Sequence, residues 1–133
     1  MFSLDTRRPG ASAPQASLLS AALRQAQQDA DDVPGAYARA PWGFRPATPA
    51  ASVLLDALTG HERAWIVVTC RRGDAGEHAR ERCFTAVQRY LLSLAAEGVE
   101  ATWIGEGLPP ELAKASEVAS GEDLIGVVHL DPA

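Results

Sequence analysis

With 133 residues the chain has room for one ordinary domain and can bury a core without disulfide support. Apolar residues at 47% and charged residues at 22% argue against wholesale disorder. Twelve basic against seventeen acidic side chains, a net charge of −5, argue against a broad nucleic-acid or anionic-membrane interface, since both need basic surface.

Residues up to Gln15 are mostly polar and carry Pro9, Gly10 and Pro14, so residues 1–16 read as an extended N-terminal arm of a single domain spanning 1–133. Ser17 can cap a helix running to about Ala30, with Leu18, Leu19, Ala22, Leu23 and Ala26 on one apolar face. Asp29, Asp31 and Asp32 oppose its dipole at the C-terminal end, and Pro34-Gly35 stops it. Prolines at 34, 41, 46 and 49 leave room for no more than a short edge strand around Trp42–Arg45. Thr48 as N-cap, Pro49 at the first helical position and Gly60 as terminator define the next helix, with Val53, Leu54, Ala57 and Leu58 expected on its buried face. Ala64–Cys70, a nearly unbroken β-branched run, predicts a strand covered on both faces. After the polar loop RRGDAGE a long helix is predicted from about Glu77 to Glu97, with Cys83, Val87, Tyr90, Leu91 and Leu94 in its apolar stripe. Gly98 ends it. Val99–Ile104 reads as a strand, Pro110–Val118 as a short helix and Leu124–Leu130 as a last strand. This alternation predicts α/β layering with parallel crossovers.

Few residues announce chemistry. RRGDAGE sits where phosphate loops sit, between a strand and a helix, but it matches neither GxGxxG nor a Walker loop and reads as a polar turn. His61, His78 and His129 are scattered, and no spacing suits a metal site. His61 suits a helix C-terminus, whereas His129 in its strand is ambiguous. Trp42, Trp65 and Trp103 serve either as core or as walls of a flat-ligand pocket. Cys70 and Cys83 form no CxxC or disulfide framework, which suits a reducing cytoplasm. Neither a secretory leader nor a membrane-spanning run stands out, and the expected location is cytoplasmic.

The order of the pieces resembles the nitroreductase-like flavoprotein family. Members begin with an Arg-Arg-Ser-x-Arg arm, where this chain has Arg7-Arg8-Pro9-Gly10-Ala11. A family segment Pro-Ser-Ala-x-Asn-x-Gln-Pro-Trp is matched by Pro34-Gly35-Ala36-Tyr37-Ala38-Arg39-Ala40-Pro41-Trp42. The family's Gln-Asn-Leu-Leu-Leu helix and Gly-Leu-Gly-x-x-Trp-Ile-Gly strand correspond to Gln88-Arg89-Tyr90-Leu91-Leu92 and to Gly98 through Trp103-Ile104-Gly105. His129-Leu130-Asp131-Pro132 stands where members have Ala-Leu-Gly-Tyr-Pro.

The resemblance implies an α+β fold, with a mixed central sheet flanked by helices and the long helix at its centre. It implies a homodimer with two flavin mononucleotide (FMN) sites at the interface. NAD(P)H would reduce the flavin, and a quinone or nitroaromatic-like acceptor would reoxidise it. Carried over residue by residue, Arg7 and Arg8 fall on the arm that contacts FMN, and Gly105 and Glu106 on the loop whose backbone N–H faces flavin N5. No catalytic side chain and no metal ligand carries over. Polar family positions have become Pro9, Ala11, Gly35, Ala38 and Ala40, and the basic residue of the family's C-terminal extension has no counterpart before Ala133. Each lost charged phosphate contact would cost about 1.5–3 kcal/mol. Arg8, Arg39, Arg45 and Arg89 are the guanidinium groups available to compensate. The alternative implied by those losses is a flavin-less, non-catalytic dimeric descendant of the same fold.

Overall fold

The computed structural model describes residues 13–32, 40–72 and 79–131. Chain order is α1 (Ala13–Asp31), β1 (Trp42–Pro46), α2 (Pro49–Thr59), β2 (Ala64–Arg71), α3 (Ala79–Ala96), β3 (Glu100–Ile104), α4 (Leu112–Ala115) and β4 (Glu122–Asp131). The strands form one sheet in the order β1-β2-β4-β3.

The α+β class holds, but every neighbouring pair is antiparallel. The parallel crossovers expected from strand–helix alternation, and the mixed sheet, are not what the described strands form. β2 and β3 do point the same way across α3, yet β4 lies between them and pairs with both. Alternation reveals that the chain crosses the sheet but not how many strand positions it skips. The apolar runs of β2 and β4 mark their central places, covered on both faces.

One face of the sheet carries α1 and α3. Ile66, Val68, Val128 and Leu130 pack there against Ala22, Ala26, Val87 and Leu94. The other face carries α2 and α4, with Trp65, Val67 and Val127 against Ala51, Leu55 and Leu112. A β-bulge shifts the side-chain alternation of β4 by one position. Val68 pairs with Gly126 and Thr69 with Leu124, so Ile125 is extra. Ile125 and Val127, two positions apart, therefore face opposite cores.

α1 starts at Ala13, four residues before the expected cap, because Pro14 is tolerated within a first helical turn. Among its described side chains Ala22, Ala26 and Ala30 are buried, while Leu18 is 71% exposed. Two of the acids at its end, Asp29 and Asp31, find side-chain partners instead of merely opposing the dipole. Asp31 accepts a hydrogen bond from Trp42 Nε1 at 2.9 Å. The Asp29 carboxyl is held below its usual range by a hydrogen bond to Ser93, then by Gln25 and the Arg89 charge. Ring stacking of Phe44 on Tyr90, with centroids 4.1 Å apart, joins β1 to α3, and burial pushes the Tyr90 hydroxyl up to about 12.

The ends of α2 match its sequence signals. Thr48 Oγ1 accepts from Ala51 N–H and donates to Ala115 O, tying α2 to α4, and Gly60 closes the helix at φ 77°. Its rotation does not match. Ala51 and Leu55 are buried, whereas Val53 is 68% and Leu58 46% exposed. The helix is apolar on most sides, so periodicity cannot choose a face. Asp56 chooses it, because its Oδ1 accepts from Trp65 Nε1 at 2.8 Å and from Arg63 N–H at 3.1 Å.

Cys70 and Cys83 are joined in a disulfide, with Cα atoms 6.2 Å apart. That separation is normal for a bridge. The pair is invisible as a sequence motif because the crossing of α3 over the sheet, not local spacing, brings the two together. The argument from unpaired cysteines to a reducing compartment therefore fails. Closing so short a loop is worth about 3 kcal/mol by chain-entropy reckoning.

Candidate functional site

β3 ends at Ile104, and Gly105 and Glu106 follow it on the exposed rim of the sheet. Trp103, half-buried, determines the shape of this corner. Its indole lies across two glycine backbones. A Cβ on Gly105 would come within 2.9 Å of Trp103 Nε1, and one on Gly126 within 2.2 Å of Trp103 Cη2. The Phe84 ring of α3 meets the indole edge-on, with centroids 6.2 Å apart and an 89° interplanar angle. The turn after β3 is thus seated on an aromatic clamp anchored in both α3 and β4. Among the described residues the Glu106 N–H has no hydrogen-bond partner, so it is free to donate to a ligand.

Of the other expected site residues, Arg7, Arg8 and Arg39 lie outside the described residues, as do Gly35 and Ala38. Arg45 sits on β1 in the same transverse row as Ile104 but at the opposite edge, three strand spacings or about 14 Å away. Arg89 acts on Asp29 across the α3–α1 contact. Within one chain, neither is brought to Gly105. Arg71 and Arg72 of RRGDAGE hold structure together. The Arg71 guanidinium donates to Ala40 O, the Arg72 N–H bonds Gly121 O, and Arg72 pairs with Asp123. Residues 73–77 of that loop lie outside the described residues. Trp42 and Trp65 are core. His61 lies just beyond the Gly60 cap and is exposed.

A second polar cluster, which the sequence did not flag, lies at the other end of the central strands. Arg63 pairs with Asp131, and His129 Nδ1 stands 3.7 Å from the same carboxylate. His129 faces Trp65 edge-on and sits opposite Thr102. Burial, and then the Arg63 charge, lower the imidazole's pKa. With Asp131 already engaged by Arg63, the carboxylate does little to hold a proton on His129. The sign follows from linkage: the unfolded chain binds this proton more readily, so stability is intact above the ordinary histidine range and falls as pH drops through it. Urea midpoints at about pH 7.5 and about pH 5.5 should show a steeper acid loss for the native chain than for His129→Gln, and equal losses would remove His129 as a cause.

Comparison with known proteins supplies fold but not sequence kinship. No protein-family model matches the chain, and no curated protein matches it. Solved structures do. A putative nitroreductase from Desulfovibrio desulfuricans in complex with FMN superposes with a TM-score of 0.68 at 16% identity, covering 90% of this chain and 86% of that one. Oxidized iodotyrosine deiodinase bound to FMN and 3-iodo-L-tyrosine gives 0.68 at 16% identity, over 86% and 80%. Bacillus megaterium NfrA1 gives 0.67 at 12% identity, and this chain spans 57% of its length. The fold is nitroreductase-like. No helix among the described residues is long and apolar enough to cross a membrane.

Proposed function

We propose that this nitroreductase-like chain is an FMN-dependent NAD(P)H oxidoreductase, with Gly105 and Glu106 presenting backbone N–H groups to the flavin and Arg7 and Arg8 holding its polar end. The observation that carries the reading is the exposed Glu106 N–H, without a hydrogen-bond partner among the described residues, on a turn that lies against the Trp103 indole. A contact made by main chain survives the loss of family side chains around it. Transfer of two electrons from NAD(P)H to a quinone or nitroaromatic acceptor is the chemistry FMN would supply when bound. The chain's own part is to orient the ring and to balance its charge.

Titration of the purified protein with FMN, followed by flavin fluorescence, tests this. Binding is expected, and Arg7→Ala should raise the dissociation constant, more so at low salt, where charges are less screened. A protein that stays colourless and leaves flavin fluorescence unchanged would instead support the flavin-less scaffold. The same reading includes a homodimer. Leu18 on α1 and Leu92 on α3 are 71% and 70% exposed and suit an isologous interface. Tyr90, in the apolar stripe of α3, is buried against Phe44 and lends nothing to that surface. Sedimentation equilibrium at micromolar concentration should give twice the chain mass, with an interface above about 2,000 Å². A clean monomer mass would rule it out.

A further inference from the structure

We propose that Cys70 and Cys83 form a redox-controlled latch on the turn that follows β3. Three observations connect the disulfide to that turn. Cys70 belongs to the sheet, where it pairs with Trp42 on β1 and Asp123 on β4. Cys83 is fully buried on α3, so the bridge fixes the first turns of that helix to the sheet. The next residue, Phe84, meets the Trp103 indole edge-on, and that indole underlies Gly105. Covalent restraint at Cys83 therefore reaches the turn through two side-chain contacts. Phe84 is 38% exposed, so it stands at the edge of the core and not within it.

The step is thiol–disulfide exchange with a low-molecular-weight disulfide. One thiolate, Cys70 or Cys83, attacks it to give a mixed disulfide and releases one small thiol. The second thiolate displaces the other small thiol and closes the bridge. Two electrons and two protons leave the protein with the two thiols, and a dithiol reductant reverses the change. Both sulfurs lie inside the core, so exchange requires the start of α3 to lift from β2. The inference does not depend on flavin binding.

Hydrogen exchange by mass spectrometry on the full chain, oxidised and after dithiothreitol, tests it. Alkylation under denaturing conditions should label no cysteine before reduction and both after it. Reduction should speed exchange in residues 100–106 by about tenfold or more, leave residues 49–59 of α2 unchanged, and be reversed on reoxidation. Phe84→Ala, with the disulfide intact, should reproduce the change in 100–106. Labelling of both cysteines without reductant would overturn the proposal. So would unchanged exchange in 100–106 after reduction, equal acceleration in every element, or a Phe84→Ala chain that stays protected there.

Discussion

Gly126→Ala should cost about 3 kcal/mol or more, placing it at the upper end of overpacking substitutions. One methyl group would lie 2.2 Å and 2.4 Å from Trp103 Cη2 and Cζ2 and 2.8 Å from the Ile104 carbonyl oxygen. A flexible neighbour would yield to it, but neither of these does. The indole is wedged between the glycine backbones and Phe84, and Ile104 O belongs to the paired strand β3. The residue also sits at the bulge that sends Ile125 and Val127 to opposite cores, so a backbone shift there would disturb both layers. Urea unfolding at constant slope measures the loss. Specificity comes from the double variant. Adding Trp103→Ala should make the Gly126→Ala step much smaller, because the clashing ring is gone and only the Ile104 carbonyl contact is left, and the two changes should be strongly non-additive. Additive losses, or a single-variant loss under about 1 kcal/mol, would show that Trp103 can move aside and that the corner is not clamped.

Much of the backbone was legible because local signals are chemically specific. Thr48-Pro49 and Gly60 define α2 through a side-chain acceptor, a fixed φ and a left-handed cap, none of which needs tertiary information. The apolar run from Ala64 predicts a strand because β-branched side chains covered on both faces leave no other reading. What could not be read was long-range. The place of β4 between β2 and β3, the rotation of α2 and the Cys70–Cys83 bridge all depend on which elements meet after the chain has crossed the sheet. In each case two arrangements satisfy the same local pattern.

The candidate site was legible in a different sense. Gly105 and Glu106 were singled out by resemblance, and the structure places them on an exposed turn; Trp103 was named without a position, and its neighbours Gly126 and Phe84 were missed. A signal for Gly126 was present. Glycine inside an apolar strand, as in Leu124-Ile125-Gly126-Val127-Val128, marks a bulge or a close approach, and here it marks both. Phe84 carried no such mark, since one aromatic residue off a helix stripe is unremarkable until its partner is known. The His129–Asp131–Arg63 group was hidden because its members come from two strand ends that only antiparallel pairing brings together.

Trp65→Ala should be the most damaging single truncation, at about 3–5 kcal/mol, on the scale of deleting a buried aromatic ring. Trp65 is 3% exposed and sits in the α2 side of the core with Leu55, Leu112 and Val127. Its loss removes more than packing. The indole N–H is one of two donors that turn Asp56 inward, and Asp56 sets the rotation of α2. The ring also forms a wall beside His129, so an opened cavity would let water reach the imidazole and weaken the burial that lowers its pKa. Trp65→Phe separates these effects. It keeps most of the apolar volume and deletes the donor, and should cost about 1–3 kcal/mol for a carboxylate left short of a partner. The acid sensitivity assigned to His129 should shrink in Trp65→Ala and persist in Trp65→Phe. Equal losses for the two variants would assign the energy to the hydrogen bond. A loss below about 1 kcal/mol for alanine would mean that α2 packs on the sheet without this ring.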